Sequence, residues 1–182
     1  MINQKIFFEN IPKYIIILMP ALLITGPFLS DLGVSLIALI FLINSKINNL
    51  FKYYVNIYFK IFVVFWLILI ISSLFSDNVF SSLRTSFFYI RFGIFSLCFW
   101  YLIERDEKIL EYLFYSIIIC FLSLIIDGYI QFFLGKNLFG IEINSNNRVS
   151  SFFGSELILG SYLSRFFPIL FGLFVFIDQK SK

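Results

Sequence analysis

The chain has 182 residues and a formal net charge of +3, with 60% of its residues hydrophobic, 21% aromatic and only 14% charged. Soluble domains run nearer to about half apolar and about a quarter charged, so this balance is that of a membrane protein. The charge excess is small and scattered, which excludes a nucleic-acid surface. The absence of histidine removes the commonest general base and metal ligand. The two cysteines, Cys98 and Cys120, lie in apolar runs with neither metal nor disulfide spacing and read as packing residues. No metal and no cofactor is expected.

In chain order, the apolar pattern predicts six membrane spans at about 14–30, 32–44, 60–76, 84–103, 109–134 and 157–177. The first follows a polar stretch with Lys5 and Lys13. It contains Pro20 and lacks a small-x-small cleavage site, so it reads as a retained helix rather than a signal peptide. Ser30-Asp31-Leu32-Gly33 reads as a tight turn. Val34 to Ile43 is short of the roughly 20 residues a straight crossing needs, so this span either extends to Asp31 and Asn44 or forms half of a hairpin.

Lys46, Lys52 and Lys60 are interleaved with Ile47, Leu50, Phe51, Tyr54, Val55 and Tyr58 at helical spacing, which predicts an amphipathic helix over 46–58 on the membrane face. Ser76-Asp77-Asn78 ends the third span, and the fourth carries Arg91. A charged loop, Glu104 to Lys108, leads to the fifth, and an outer loop over 135–156 leads to the sixth. The expected fold is all-α, a single polytopic membrane domain.

Six spans put both termini on one side. The termini and the loops after spans two and four carry Lys5, Lys13, Lys46, Lys52, Lys60, Arg105, Lys108, Lys180 and Lys182, against Arg84, Lys136 and Arg148 on the other side. The positive-inside rule therefore expects cytoplasmic termini, with 76–83 and 135–156 facing outward. Lysine and arginine are distributed differently. Every lysine but Lys136 lies on the expected cytoplasmic side, whereas Arg84, Arg91, Arg148 and Arg165 lie toward the outer one. Arginine's planar fork binds phosphate through two bonds and tolerates partial burial, so an outward arginine set points to an anionic group held at the outer leaflet.

Depth adds to this. Arg91, Asp127 and Arg165 each fall about seven residues from the outer end of their spans, roughly 10–12 Å below the rim at 1.5 Å per residue. Gln131 lies one turn from Asp127 on the same face. Ionisable groups at that depth belong in a bundle interior or a wet cavity. Two readings stand side by side: a ligand site lined by these residues, and an ion pair between Asp127 and an arginine that fixes helix packing. In the outer loop, Gly135 and Gly140 read as backbone breakers, and Asn144-Ser145-Asn146-Asn147 reads as a solvated turn. Ser155 is placed to cap the sixth span, and Arg84 reads as a rim anchor. Glu142 and Glu156 form a weak candidate pair for acid–base work.

Four stretches, TGPFLSDLGVSL at 25–36, YIRFGIF at 89–95, DGYIQ with Gly135 at 127–135, and NRVSSFFGSE with GSYL at 147–163, resemble the O-antigen ligase and polymerase family. The resemblance implies a bacterial inner-membrane enzyme that moves a glycan from an undecaprenyl-pyrophosphate carrier onto lipid A–core or onto another repeat unit. Its partners would be that lipid-linked oligosaccharide and membrane lipid, with no nucleic acid. By matching position, Arg91 and Arg148 would face the pyrophosphate-linked donor, and the depth argument adds Arg165, with Asp127 and Gln131 in support.

Members of that family are considerably longer, with a large later loop that supplies arginines and, in ligases, a histidine. This sequence is therefore expected to be the N-terminal half of a longer chain and inactive alone. Its catalytic residues are unknown, and the base is expected beyond Lys182. The alternative is a polysaccharide or lipid transporter or flippase fragment, in which the same polar residues line a path; no internal repeat supports it.

Overall fold

The computed structural model describes residues 6–143 and 148–181. These residues are helical apart from connecting turns and one isolated bridge between Lys136 and Glu142. A π-helical turn, Ile6–Asn10, runs into α1 (Ile11–Ile24); α2 is Pro27–Asn48, α3 Ile57–Leu74, α4 Val79–Phe88, α5 Ile90–Arg105, α6 Lys108–Leu134 and α7 Leu159–Ser181. Taking α4 and α5 as one crossing, six segments are long and apolar enough to cross a membrane. The chain is a multi-pass, all-helical membrane protein.

The chain divides into two compact units. One contains the chain up to Ile16 and Asp31–Asp106; the other contains Ile17–Ser30 and the chain from Glu107 onward. In the first unit, α2 buries Val34, Ile37, Ala38 and Phe41, and α5 buries Ile94, Leu97, Cys98, Tyr101 and Leu102. Both sets repeat at three and four residues, the spacing that lines one face of a helix. In the second unit, Leu124 of α6 and Tyr162 of α7 are buried with Phe153, and Ile24, Phe121, Phe152, Leu159, Leu163 and Phe166 pack around them. The Tyr162 hydroxyl donates to the carbonyl of Pro20 at 2.8 Å.

Several local expectations are corrected. The first turn is not at Ser30–Gly33, which lies inside α2. It is at Thr25-Gly26, where Gly26 takes φ +118° and Pro27 starts the helix. The second span thus takes the longer of its two expected forms. The amphipathic helix over 46–58 is not a separate element. α2 runs on to Asn48, a single 3-10 turn occupies Phe51–Tyr53, and Asn56 caps α3 by accepting from the Phe59 N–H at 2.8 Å.

The corner is pinned instead by Glu104, which accepts from the Tyr53 hydroxyl at 2.7 Å and from Lys52 at 3.0 Å. The Glu104 bond raises Lys52 above its ordinary value, and burial raises Tyr53. The fourth crossing starts at Val79 and breaks at Tyr89, and the sixth starts at Leu159, so Ser155 does not occupy the cap position. The asparagine run at 144–147, Lys5 and Lys182 lie outside the described residues.

Candidate functional site

The described residues after α6 form a folded segment rather than a loose connection. At the end of α6, Gly135 adopts φ +75° and its N–H bonds the Gln131 carbonyl at 2.9 Å, which terminates the helix in the left-handed geometry that glycine tolerates best. The chain then makes a small hairpin. Asn137 N–H donates to the Ile141 carbonyl at 2.9 Å, Ile143 N–H donates to the Gly135 carbonyl at 2.8 Å, and Gly140, at φ +80°, donates to the Asn137 carbonyl at 2.9 Å. Lys136 and Glu142 lie opposite each other and pair at 3.0 Å. Glu142 is thus taken up by Lys136, and it is not shown beside Glu156.

Three fully or nearly fully buried side chains fasten this segment to the helix. Asp127 Oδ1 accepts from Leu138 N–H at 2.9 Å, and Asp127 Oδ2 accepts from the Ser151 hydroxyl at 2.7 Å. Gln131 Oε1 accepts from the backbone N–H groups of Ser150 and Ser151 at 3.0 and 2.7 Å, while its Nε2 donates to the Ile141 carbonyl at 3.3 Å. Asn137 Nδ2 donates to the Ser151 carbonyl at 2.9 Å, and its Oδ1 accepts from Phe139 and Ile141 N–H at 3.0 and 2.7 Å. Asp127, Gln131 and Ser151 are each 0% exposed.

Polar groups buried so completely are costly unless every one is bonded, and here the bonds are present. Ser151 shows how tightly the set is closed. Its N–H, hydroxyl and carbonyl go to Gln131, Asp127 and Asn137, and it is held at φ +52°, a left-handed conformation that costs a non-glycine residue on the order of 1–3 kcal/mol. The arginine–Asp127 ion pair weighed from the sequence is therefore replaced by a carboxylate that anchors a loop.

The arginines separate into two kinds. Arg91 pairs with Asp31 through Nη2, bonds weakly to the Ser35 hydroxyl at 3.4 Å through Nη1, and lies over the Phe92 ring at 5.2 Å. It is half-buried and ties α5 to α2. The crossing begins at Val79 rather than Arg84 and breaks at Tyr89, so Arg91 is the second residue of α5 and the depth of seven helical residues expected for it does not hold. Arg148 and Arg165 are both exposed, and among the described residues neither has a carboxylate partner. Arg148 stands in the loop two residues before the Ser150 amide that Gln131 holds; Arg165 stands in α7. Arg84 is exposed on α4.

Val149, the residue after Arg148, lines an apolar groove of about 480 Å³ together with Leu124, Gly128, Phe132, Leu159 and Leu163 among others. A Cβ on Gly128 would sit 3.4 Å from Val149 Cγ1 and 3.6 Å from Leu159 Cδ2, ordinary contact distances that bring the loop and α7 close to α6 at this point.

Sequence reasoning singled out Asp127, Gln131 and Arg148 but missed Asn137, Ser150 and Ser151. Asn137 carried a signal, standing three residues before Gly140 in a turn pattern. Chemically, the arrangement offers an exposed guanidinium without a described carboxylate partner, on a backbone held two residues away and followed by a residue, Val149, that lines an apolar groove. Among the described residues no group of three or more metal-binding side chains comes together. Compared with protein-family models, curated proteins and solved structures, the chain gives no match.

Proposed function

We propose that the chain belongs to a glycan transferase of the O-antigen ligase or polymerase kind in a bacterial inner membrane, with cytoplasmic termini and the 135–158 segment facing outward. The observation that carries this reading is the anchored loop. Buried Asp127, Gln131 and Asn137 fix a surface segment that carries Arg148, free of any described carboxylate, and, one residue on, Val149, which lines an apolar groove. A pyrophosphate-linked polyprenyl donor has a matching division, with its charge at headgroup level and its tail in lipid.

Stabilising a pyrophosphate leaving group is electrostatic work done by placed cations. Arg148 and Arg165 are the residues free to do it. Arg91, already matched to Asp31, is assigned to holding helices together. The excess of lysine and arginine in the termini and the loops after spans two and four, nine against the three of Arg84, Lys136 and Arg148, supports the orientation. The flippase alternative has Asp127 and the arginines line a path; that Asp127 is bonded to the loop through both carboxylate oxygens favours the transferase reading.

The test is Arg148→Ala in cells. Lipid-linked glycan that accumulates in the outer leaflet is the expected result. Accumulation in the cytoplasmic leaflet would make the protein a flippase component, and unchanged lipid-linked pools would remove Arg148 from the reaction.

A further inference from the structure

Gln131 does more than satisfy its own burial. Its single amide spans two limbs of the described chain, one before residue 144 and one after residue 147. The oxygen takes both N–H groups of Ser150 and Ser151 on one limb, and the nitrogen gives to the Ile141 carbonyl on the other. The nitrogen also lies 3.4 Å from the Ser150 hydroxyl. The side chain comes from the third-from-last residue before Leu134 on α6, so the clip is referenced to a long helix and not to another loop.

Arg148 is attached two residues before the clipped amides. Its own side chain is exposed and has no described carboxylate to orient it, so its position is set by its backbone. Asp127 and Asn137 act elsewhere, on Leu138, on the hairpin turn and on the far side of Ser151. Asp127 and Asn137 also tie the two limbs together, through Ser151, but of the three anchors it is Gln131 that holds the Ser150 N–H, the anchored amide nearest to Arg148.

We infer that Gln131 is a positioning residue for Arg148: by clipping Ile141 to Ser150–Ser151 it fixes where the guanidinium meets an anionic ligand headgroup. This rests on the reading of Arg148 as the ligand contact. Binding an anion with a preplaced arginine avoids ordering the loop at the moment of binding, which is where a floppy site loses affinity. Gln131 touches no ligand in this scheme and acts only through Arg148.

The test is a double-mutant cycle on the full chain in lipid nanodiscs, with farnesyl pyrophosphate as probe. Arg148→Ala is expected to weaken probe affinity about ten- to hundredfold, the range of a charge-assisted hydrogen bond. Gln131→Met keeps the length of the side chain and loses both amide groups. It is expected to weaken affinity by a similar factor alone, and by less than about twofold once Arg148 is alanine, because residues that act as one unit are not additive.

If Arg148→Ala leaves affinity unchanged, the reading of Arg148 fails and the inference goes with it. If Arg148→Ala weakens binding but Gln131→Met does nothing, or weakens it equally in both backgrounds, Arg148 stands and the positioning role is wrong. Should Gln131→Met not fold, Gln131→Glu replaces it, since it keeps an oxygen for both amides. Affinity within about threefold of the parent is then expected, and a tenfold loss that persists in the Arg148→Ala background overturns the inference.

Discussion

The Ser151 hydroxyl donates to Asp127 Oδ2 at 2.7 Å across 24 positions of sequence, with both residues sealed from solvent. Together with the Leu138 N–H on Oδ1, this bond makes a carboxylate the anchor of a surface segment. Replacing Asp127 with alanine strands the Ser151 hydroxyl and the Leu138 N–H. The expected loss is about 2–5 kcal/mol, the sum of two hydrogen bonds to a charged acceptor with partial rescue by water. Thermal or denaturant unfolding in detergent reads it, and far-UV circular dichroism is expected to stay near the parent because no helix depends on the bond.

Asn137→Ala leaves the N–H groups of Phe139 and Ile141 and the Ser151 carbonyl without their side-chain partner. Buried polar groups left unpaired cost about 1–3 kcal/mol each where water cannot reach them. Limited proteolysis of the folded protein is expected to cut within 136–143 much faster than in the parent. Unchanged cleavage would mean that the hairpin holds without Asn137.

Gly93 is required by contact rather than by backbone angle. A Cβ there would lie 2.3 Å from Phe62 Cε1, and the Phe62 ring is itself stacked on Phe59 and on Tyr89. Gly93→Ala is expected to destabilise the α3–α5 packing by about 1–3 kcal/mol through overpacking. Adding Phe62→Leu is expected to recover at least part of that loss. Additive losses in the double variant would place the strain elsewhere.

Arg91 and Asp31 form a pair at membrane depth, with side chains 30% and 48% exposed. Removing one leaves the other uncompensated, at a cost of about 2–3 kcal/mol for a lone ionisable group in a span. Asp31→Asn and Arg91→Gln are each expected to destabilise, and the double variant to lose less than the sum of the two. Strict additivity in unfolding measurements would show that the pair contributes no coupling.

Much of the helical frame was readable from apolar spacing. The apolar run from Val34 to Ile43 falls inside α2, where Val34, Ile37, Ala38 and Phe41 form the buried face. The ends of elements were less legible. Ser30-Asp31-Leu32-Gly33 has the composition of a turn, yet it stays helical, with the Ser30 and Ser35 hydroxyls satisfied on carbonyls three and four residues back within the helix. The turn itself needed a positive φ, which Gly26 supplies. Lysines spaced among Leu50, Phe51 and Tyr54 imitated an amphipathic helix, but burial of Leu50 and Tyr53 and the bond to Glu104 fold the segment into a corner.

At the site, Asp127 and Gln131 were visible as two polar residues one turn apart on an apolar helix. Their partners were not. Most are backbone amides and carbonyls of Leu138, Ile141, Ser150 and Ser151, which carry no side-chain signature, and no pattern in a sequence marks which distant N–H a buried carboxylate will accept. Arg91 was legible as a charge needing a reason. Its reason, Asp31, had been assigned to a turn.

The central claim is that the segment after α6 is a folded platform clipped to the helix by Asp127 and Gln131. Residue-level amide exchange on the full chain in nanodiscs tests it most directly. Leu138, Ile141, Ser150 and Ser151 are expected to exchange at least about a hundredfold more slowly than free peptide, as amides bonded to buried acceptors do. Exchange at free-peptide rates at these four positions would contradict the account, and with it the placement of Arg148.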